Sequence, residues 1–157
     1  MLNKPFLLAL VVAMMSISGC ATGPRPYDAQ ADSERMIAAA LADMPADKKL
    51  LLTFGANWCS DSRKLASVYE QQPLADLLAQ NYEVIYIDVG KRDNNMQLAA
   101  DYNVPVVGGI PSIALVDKQG IVRFSSLATD LNNAEKMSEK EIYAYFEKLS
   151  VSGENTQ

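Results

Sequence analysis

A run of apolar residues at positions 50–54, interrupted only by Thr53, constrains the fold of this chain more than any other feature. The run is too short for a helix of ordinary length. It also lacks the alternation of polar and apolar residues that is typical of a strand with one solvent-exposed face. Continuous apolar strands are typical of sheets that are covered on both sides. A second run of this kind, at positions 84–89, follows segments with helical spacing of their apolar residues. The chain is therefore predicted to contain a parallel strand–helix–strand unit.

The other patterns place helices around this unit and a hairpin after it. An amphipathic helix is predicted around positions 36–44, with Asp32 or Ser33 as its N-cap and Pro45 closing it. After the first strand, the sequence predicts a helix from about Cys59 and a further helical piece from Pro73. After the second strand, it predicts a helix at 98–102 that is capped by Asp93, and then a hairpin turn at 117–120. A last helix is predicted after a capping box formed by Ser138 and Glu141. This order predicts an α/β fold: a four-stranded mixed sheet with helices on both faces and an extra N-terminal helix.

The composition indicates one globular domain and argues against several classes of function. The chain has 157 residues, of which 49% are hydrophobic and 21% charged, and this is enough apolar material for one core. Its net charge of −5 argues against nucleic acid as a partner, because phosphate contacts require a basic surface. With no histidine and two cysteines, no protein-only zinc or iron–sulfur site and no cofactor are expected.

The first twenty residues have the features of a bacterial lipoprotein leader. A short positive start with Lys4 precedes an apolar stretch at 5–17 that is too short for a comfortable membrane span. The stretch ends in Ile-Ser-Gly before Cys20, which resembles the lipobox. In lipoproteins the signal peptidase cuts before this cysteine, whose thiol carries a diacylglyceryl group. The alternatives are an ordinary secretory leader and an uncleaved membrane anchor.

The chain is accordingly divided into four segments. Residues 1–19 are predicted to be the signal peptide, 20–30 the lipidated cysteine and a turn-rich tether, 31–150 the folded domain, and 151–157 a disordered tail. Lipid chains attach a protein durably to a membrane, so the expected location is the cell envelope. The residue after the lipobox cysteine is Ala21 and not an aspartate, which implies, in a Gram-negative host, the outer membrane facing the periplasm.

The residues that carry the chemistry follow the first core strand. Trp58 and Cys59 lie at a predicted strand-to-helix turn, Asp88 closes the second strand, and a Gly-Ile-Pro sequence ending in Ile110 and Pro111 precedes the third. In this order, these features resemble the thioredoxin superfamily over residues 46–149. The resemblance implies a cis bond between Ile110 and Pro111, opposite the reactive cysteine. Trp58 and this loop are then expected to shape a groove for an extended substrate segment.

The reactivity of Cys59 is expected from its place at the first turn of a helix. Unpaired backbone N–H groups and the positive end of the helix dipole favour the thiolate form there. Arg63 and Lys64 add positive potential, whereas the carboxylate of Asp61 opposes it. The alternative interpretation is an inert cysteine that packs as a small buried hydrophobe.

Two departures from the superfamily pattern limit this chemistry. Ser62 stands where envelope thioredoxin-like proteins with a Trp-Cys-x-Asp-Cys-Arg motif have a second cysteine, and a hydroxyl cannot resolve a mixed disulfide. The hydroxyl of Ser62 is still able to donate a hydrogen bond to the Cys59 thiolate. The proton-handling acid that the family has on the preceding strand falls at Thr53 and is absent.

Two hypotheses follow, and the sequence leaves open whether the chain is an enzyme. In the first, Cys59 acts as a monothiol in thiol–disulfide exchange, with envelope proteins that carry cysteines or disulfides, or with an external thiol reductant, as partners. In the second, the chain is a non-catalytic module that keeps the fold for its protein-binding groove. The retained Trp58–Cys59 pair favours the first hypothesis, and the lost second cysteine and lost strand acid favour the second.

Overall fold

The computed structural model describes residues 23–152, which form one mixed sheet with helices on both of its faces. The predicted signal peptide, the predicted lipidation site at Cys20 and residues 153–157 lie outside the described residues. The strands, in the order β2-β1-β3-β4 across the sheet, are β1 (Lys49–Gly55), β2 (Tyr82–Asp88), β3 (Ser112–Val116) and β4 (Val122–Ser125). β1 pairs in parallel with β2 and antiparallel with β3, which pairs antiparallel with β4. The predicted α/β architecture is confirmed.

The helices follow the predicted order, including the extra helix before the first strand. Asp32 caps the first of them, because its side chain accepts a hydrogen bond from the backbone N–H of Arg35. The α-helices of the described residues are α1 (Ser33–Asp43), α2 (Ser60–Tyr69), α3 (Leu74–Asn81), α4 (Met96–Asp101) and α5 (Glu139–Ser152), and a short 3-10 helix spans Ala134–Lys136. The capping box ahead of α5 is confirmed, since the N–H of Ser138 donates to Glu141 and the N–H of Glu141 donates to the Ser138 hydroxyl.

Strand β1 lies inside the sheet, and its alternate side chains supply both cores. Leu50, Leu52 and Phe54 pack on the face covered by α1 and α4. Leu51 packs on the opposite face, with residues of α2, α3 and α5. All four side chains are completely buried, as the continuous apolar run predicts. The end of β1 at Gly55 is therefore held rigidly, and the turn that follows it starts from a fixed point.

The predicted cap of α4 is wrong. Asn95, and not Asp93, precedes the helix, and it has a left-handed backbone with φ of 53° that asparagine tolerates better than most residues. The Asp93 carboxylate instead accepts a hydrogen bond from the backbone N–H of Lys91 and stabilises the turn after β2. The sequence has several polar residues in succession before α4, and each of them is a candidate for its N-cap. The geometry of the turn after β2, in which Gly90 has a φ of 54°, decides between these candidates.

The last helix extends beyond the boundary that the sequence predicts. It ends at Ser152, so residues 151 and 152, for which the sequence predicts a disordered tail, are helical. Among residues 23–152, no helix is both long enough and apolar enough to cross a membrane.

Candidate functional site

The structure places Cys59 at the N-cap of α2, immediately after the turn that leaves β1. Its side chain is nearly buried, with 9% of the residue exposed. The thiol donates a hydrogen bond to the backbone carbonyl of Ile110, with a distance of 3.6 Å between sulfur and oxygen. The peptide bond from Ile110 to Pro111 is cis, as the family resemblance implies. Two predicted site elements that are far apart in sequence are thus in contact.

Trp58 forms the exposed rim of this site. It is 54% exposed, and its indole N–H donates to the carbonyl of Gly90 over 2.7 Å. This bond fixes the ring between the Cys59 turn and the loop after β2. A large, exposed but oriented aromatic ring is suited to contact a partner, because its conformation is already restricted.

Ser62 lies one helical turn after Cys59 and is completely buried. Its hydroxyl oxygen accepts a hydrogen bond from the backbone N–H of Ala56 over 3.4 Å. Residues three apart in a helix share a face, so the Ser62 hydroxyl lies on the same side of α2 as Cys59. The Ser62 side chain is therefore turned inward, beneath the Cys59 motif, defined as residues 57–63.

Two of the three charged residues that the sequence places near Cys59, Lys64 and Asp61, are paired with other groups. Lys64 pairs with Glu139 at 3.8 Å on the outside of α2. The Asp61 carboxylate accepts a hydrogen bond from the backbone N–H of Glu135, so it anchors the 3-10 helix to α2. Arg63 remains beside the site, and its Nε is buried without a hydrogen-bond partner among the described residues. Of the two expected cations, Arg63 is the one that lines the groove described next.

An open groove of about 890 Å³ lies beside Trp58. It is bordered by the motif turn, the loop after β2 and the segment that precedes α1. The residues that line it include three cations and two acids, namely Arg25, Arg63, Lys91, Asp88 and Asp93. Asp88 accepts hydrogen bonds from the backbone of Gly90 and from Asn94, which holds the loop on the groove's far side in place.

Tyr27 is part of this site, and the sequence analysis missed it by assigning it to a tether. It is only 2% exposed, and its ring packs edge-to-face against Tyr86 with 5.4 Å between ring centroids. Asn57 of the motif holds its backbone from both sides: the Asn57 amide donates to the Tyr27 carbonyl over 2.6 Å and accepts from its N–H over 3.3 Å. An aromatic residue within a stretch of small and polar residues was the available signal.

The interior next to β1 contains a pair of hydroxyl groups, at Thr53 and Tyr69. Thr53 is completely buried, and its hydroxyl lies 3.3 Å from that of Tyr69. Burial raises the pKa of Tyr69 well above its ordinary value, so this pair stays uncharged. Within residues 23–152, no group of three or more potential acidic, cysteine or histidine ligands is placed to hold a metal ion.

Comparison with known proteins agrees with this geometry. A family model described as thioredoxin-like matches residues 28–118. A solved structure of a disulphide isomerase from Xylella fastidiosa Temecula1 is 40% identical, with a TM-score of 0.77, and the match covers 81% of this chain and 98% of that one. The chain belongs to the thioredoxin superfamily.

More distant members of the superfamily share the fold. The oxidised C-terminal domain of Neisseria meningitidis DsbD is 20% identical with a TM-score of 0.53, over 75% of this chain and 96% of that domain. A thioredoxin from Thermus thermophilus is 18% identical with a TM-score of 0.51, over 77% of this chain and 85% of that one. Comparison with curated proteins gives no match.

Cys59 has the N-cap position of α2 and contacts the cis-proline loop at Ile110, while Ser62 and Thr53 are completely buried. The structure thus brings Cys59 into contact with Ile110, but the groove beside Trp58 is not lined by Cys59, Ile110 or Pro111. The roles of these residues in a reaction stay predictions.

Proposed function

We propose that this protein is an envelope-anchored member of the thioredoxin superfamily that takes part in thiol–disulfide exchange through Cys59 alone. The observation that carries the proposal is the position of the Cys59 sulfur at the start of α2 and 3.6 Å from the Ile110 carbonyl. A solved relative with 40% identity is a disulphide isomerase, which supports the same class of chemistry.

With a single cysteine at this position, the proposed thiol–disulfide exchange takes place in two steps that involve two different attacking thiols. The Cys59 thiolate attacks one sulfur of a substrate disulfide, a new S–S bond forms, and the other substrate sulfur leaves as a thiolate. Ser62 cannot repeat this attack on the mixed disulfide. A second thiol, from the substrate itself or from an external reductant, must therefore attack the Cys59-linked bond and regenerate the free thiol. These steps suit isomerisation, in which the substrate's own thiol completes the exchange.

The site's surroundings favour a protein partner. The rim contains the oriented Trp58 ring and a groove of about 890 Å³, which is open along one side. Val107, next to the cis-proline loop, is 73% exposed and extends the apolar contact surface. Envelope proteins with accessible cysteines or disulfides are the proposed partners, and nucleic acid is not.

The proposed lipid anchor at Cys20 would hold this groove close to a membrane. Tyr27 is fixed in the domain, so only a short length of chain separates the anchor from the groove. Seven extended residues span at most about 25 Å. The proposed location is the periplasmic face of the outer membrane in a Gram-negative host. Such a short connection favours partners that are themselves at the membrane surface.

A second candidate is a binding module that does not use its thiol. The near burial of Cys59 and its bond to Ile110 favour this alternative, because a buried thiol reacts slowly. It predicts that the partners of the protein bind equally well when Cys59 is replaced by serine.

A trapping experiment distinguishes the two candidates. The full chain carrying Cys20→Ser is incubated with a protein that has mispaired disulfides, and mixed disulfides are detected by non-reducing gels and mass spectrometry. We expect adducts at Cys59 that persist until a small thiol is added. Adducts should disappear in Cys59→Ser, persist in Ser62→Ala, and be short-lived in Ser62→Cys because a resolving thiol is restored. Absence of adducts at Cys59 together with partner binding by Cys59→Ser would contradict the monothiol proposal.

A further inference from the structure

The side chain of Tyr27 occupies space beneath the motif that a different residue at position 55 would fill. A Cβ atom on Gly55 would stand 2.6 Å from the Tyr27 hydroxyl oxygen and 2.7 Å from the Ser62 hydroxyl oxygen. The two hydroxyl groups therefore share one small buried space, at the end of β1 and next to the first turn of α2. This space exists because residue 55 has no side chain.

The Tyr27 hydroxyl has no hydrogen-bond partner among the described residues, although it is buried. The Ser62 hydroxyl is close enough to lower the pKa of Tyr27, but no hydrogen bond joins the two hydroxyls in the described arrangement. A buried polar group without a partner is costly, and structures rarely retain one without a reason. The Ser62 oxygen has already accepted one hydrogen bond from Ala56, and it can accept one more while donating its own proton.

The Tyr27 hydroxyl remains a donor at any physiological pH. Burial, and then the neighbouring Tyr86 hydroxyl, raises the pKa of Tyr27 well above its ordinary value. Cys59 and Asp88 act in the same direction, and Ser62 opposes them. A group of this kind does not act as a base. It serves to donate a hydrogen bond to a neighbour that becomes negative.

The thiol form of Cys59 explains why this donor is unused in the resting state. In that form the thiol proton is directed toward the Ile110 carbonyl at 3.6 Å. Once the proton leaves, the carbonyl oxygen has nothing to donate, and the sulfur needs hydrogen-bond donors from elsewhere. The Ser62 hydroxyl is one helical turn away on the same face of α2, and Tyr27 lies behind it.

We infer that Tyr27 is a positioning residue whose hydroxyl donates to Ser62 and so orients the Ser62 proton toward the Cys59 thiolate. This inference rests on the proposed thiol chemistry of Cys59. No proton is transferred along the pair: the Ser62 oxygen accepts from Tyr27 and from the Ala56 N–H, and its own O–H donates to the sulfur. The N-terminal strap, defined as residues 25–30, thus contributes to the site through Tyr27.

The test compares two variants, each of which lacks one buried tyrosine hydroxyl that has no hydrogen-bond partner among the described residues. Tyr27→Phe removes the proposed donor. Tyr82→Phe is the matched control, because the Tyr82 hydroxyl is also buried without a partner but lies at the opposite end of the β1–β2 pair. Both changes are made in the full chain with Cys20→Ser, and unfolding by urea shows whether each variant is folded. Neither is expected to lose stability, since each removes an unpaired polar group.

The readouts are the ultraviolet absorbance of the Cys59 thiolate, measured in all variants at one pH at which the parent is mostly in the thiol form, and the rate of exchange with a small aromatic disulfide. We expect Tyr27→Phe to lower the thiolate fraction about tenfold, which corresponds to one hydrogen bond to a charged atom. The exchange rate should fall less, about threefold, because a less stabilised thiolate is a better nucleophile. Tyr82→Phe should leave both quantities unchanged.

Ser62→Ala provides a second, independent variant. If the hydroxyls act in series, Ser62→Ala should lower the thiolate fraction at least as much as Tyr27→Phe, and the double variant should fall no further. Equal thiolate fractions in Tyr27→Phe and the parent, or effects that multiply in the double variant, would overturn the inference. A parent protein whose Cys59 does not exchange at all would instead refute the proposed function.

Discussion

Replacing Gly55 by alanine tests the packing on which the site interior depends. The new Cβ would stand 2.6 Å from both Cζ and the hydroxyl oxygen of Tyr27, and 2.7 Å from the Ser62 oxygen. Real Cβ contacts are not this short, so at least one neighbour must move. The backbone at Gly55 is ordinary strand, and the cost therefore comes from crowding and not from an unfavourable φ.

The magnitude depends on how Tyr27 responds. If the ring shifts slightly within the core, the cost is that of overpacking, about 1–3 kcal/mol. If the ring is expelled, the upper limit is set by its burial: a tyrosine buries about 150–250 Å², which corresponds to roughly 4–6 kcal/mol. Part of this loss is returned, because the unpartnered hydroxyl reaches water. We expect Gly55→Ala to lower the free energy of unfolding by about 2–3 kcal/mol.

Urea unfolding followed by circular dichroism measures this change, and two controls isolate its cause. Gly23→Ala should have no effect, because within residues 23–152 no atom beyond its immediate chain neighbours lies within 4 Å of the added carbon. In a Tyr27→Ala background, Gly55→Ala should cost at least about 1 kcal/mol less than in the parent, since the two closest contacts, both with Tyr27, are removed. Equal costs in both backgrounds would show that Tyr27 does not occupy the space above Gly55, and the placement of the strap would be refuted.

Three further predictions concern separate parts of the fold. Asn57→Ala removes both hydrogen bonds to the Tyr27 backbone, so amide hydrogen exchange at Tyr27 should accelerate by about tenfold, and unchanged exchange would show that other contacts hold the strap. Burial acts to raise the pKa of Asp117, but hydrogen bonds from the backbone of its turn and from Arg123 hold it below its ordinary value. The carboxylate therefore stabilises the fold above about pH 4, and the stability difference between the parent and Asp117→Asn should shrink as the pH falls below that value. Asp32→Ala, which removes the N-cap of α1, should cost about 1 kcal/mol in urea unfolding, and a change below a few tenths would contradict the capping role.

The sheet and most helices could be predicted because their signals are local. The apolar run at 50–54 predicts a strand covered on both faces, and the turn sequence at 117–120 predicts a hairpin. Both signals are independent of contacts with distant parts of the chain. The capping box of Ser138 and Glu141 likewise depends only on residues within one turn. Asp93 shows where this approach fails, since several polar residues competed for one cap and a turn after β2 selected Asn95.

The part of the site that could not be predicted depends on contacts between distant segments. Tyr27 lies in a stretch with no apolar period, and its burial is decided by Asn57 and Tyr86, which follow it by 30 residues or more. The isolated aromatic ring is a signal for burial, but no pattern around Tyr27 identifies either contact. The position of Ser62 could be predicted from the motif, but its burial against the strap could not, because it requires the small space above Gly55.

The substitutions at Thr53 and Ser62 are physically consistent with each other. A buried acid on this strand is useful only if a second thiol below the motif must lose its proton, and Ser62 has no such need. Thr53 is hydrogen-bonded to Tyr69, and the hydroxyls of Tyr27 and Ser62 lie above Gly55, so neutral hydroxyl groups occupy both of these places. A carboxylate placed among these groups would have to remain protonated or be left unpaired in an apolar core. The neutral hydroxyls of Tyr27 and Ser62 suit the proposed role of Cys59 as the one sulfur to be charged, because such groups do not compete for its proton.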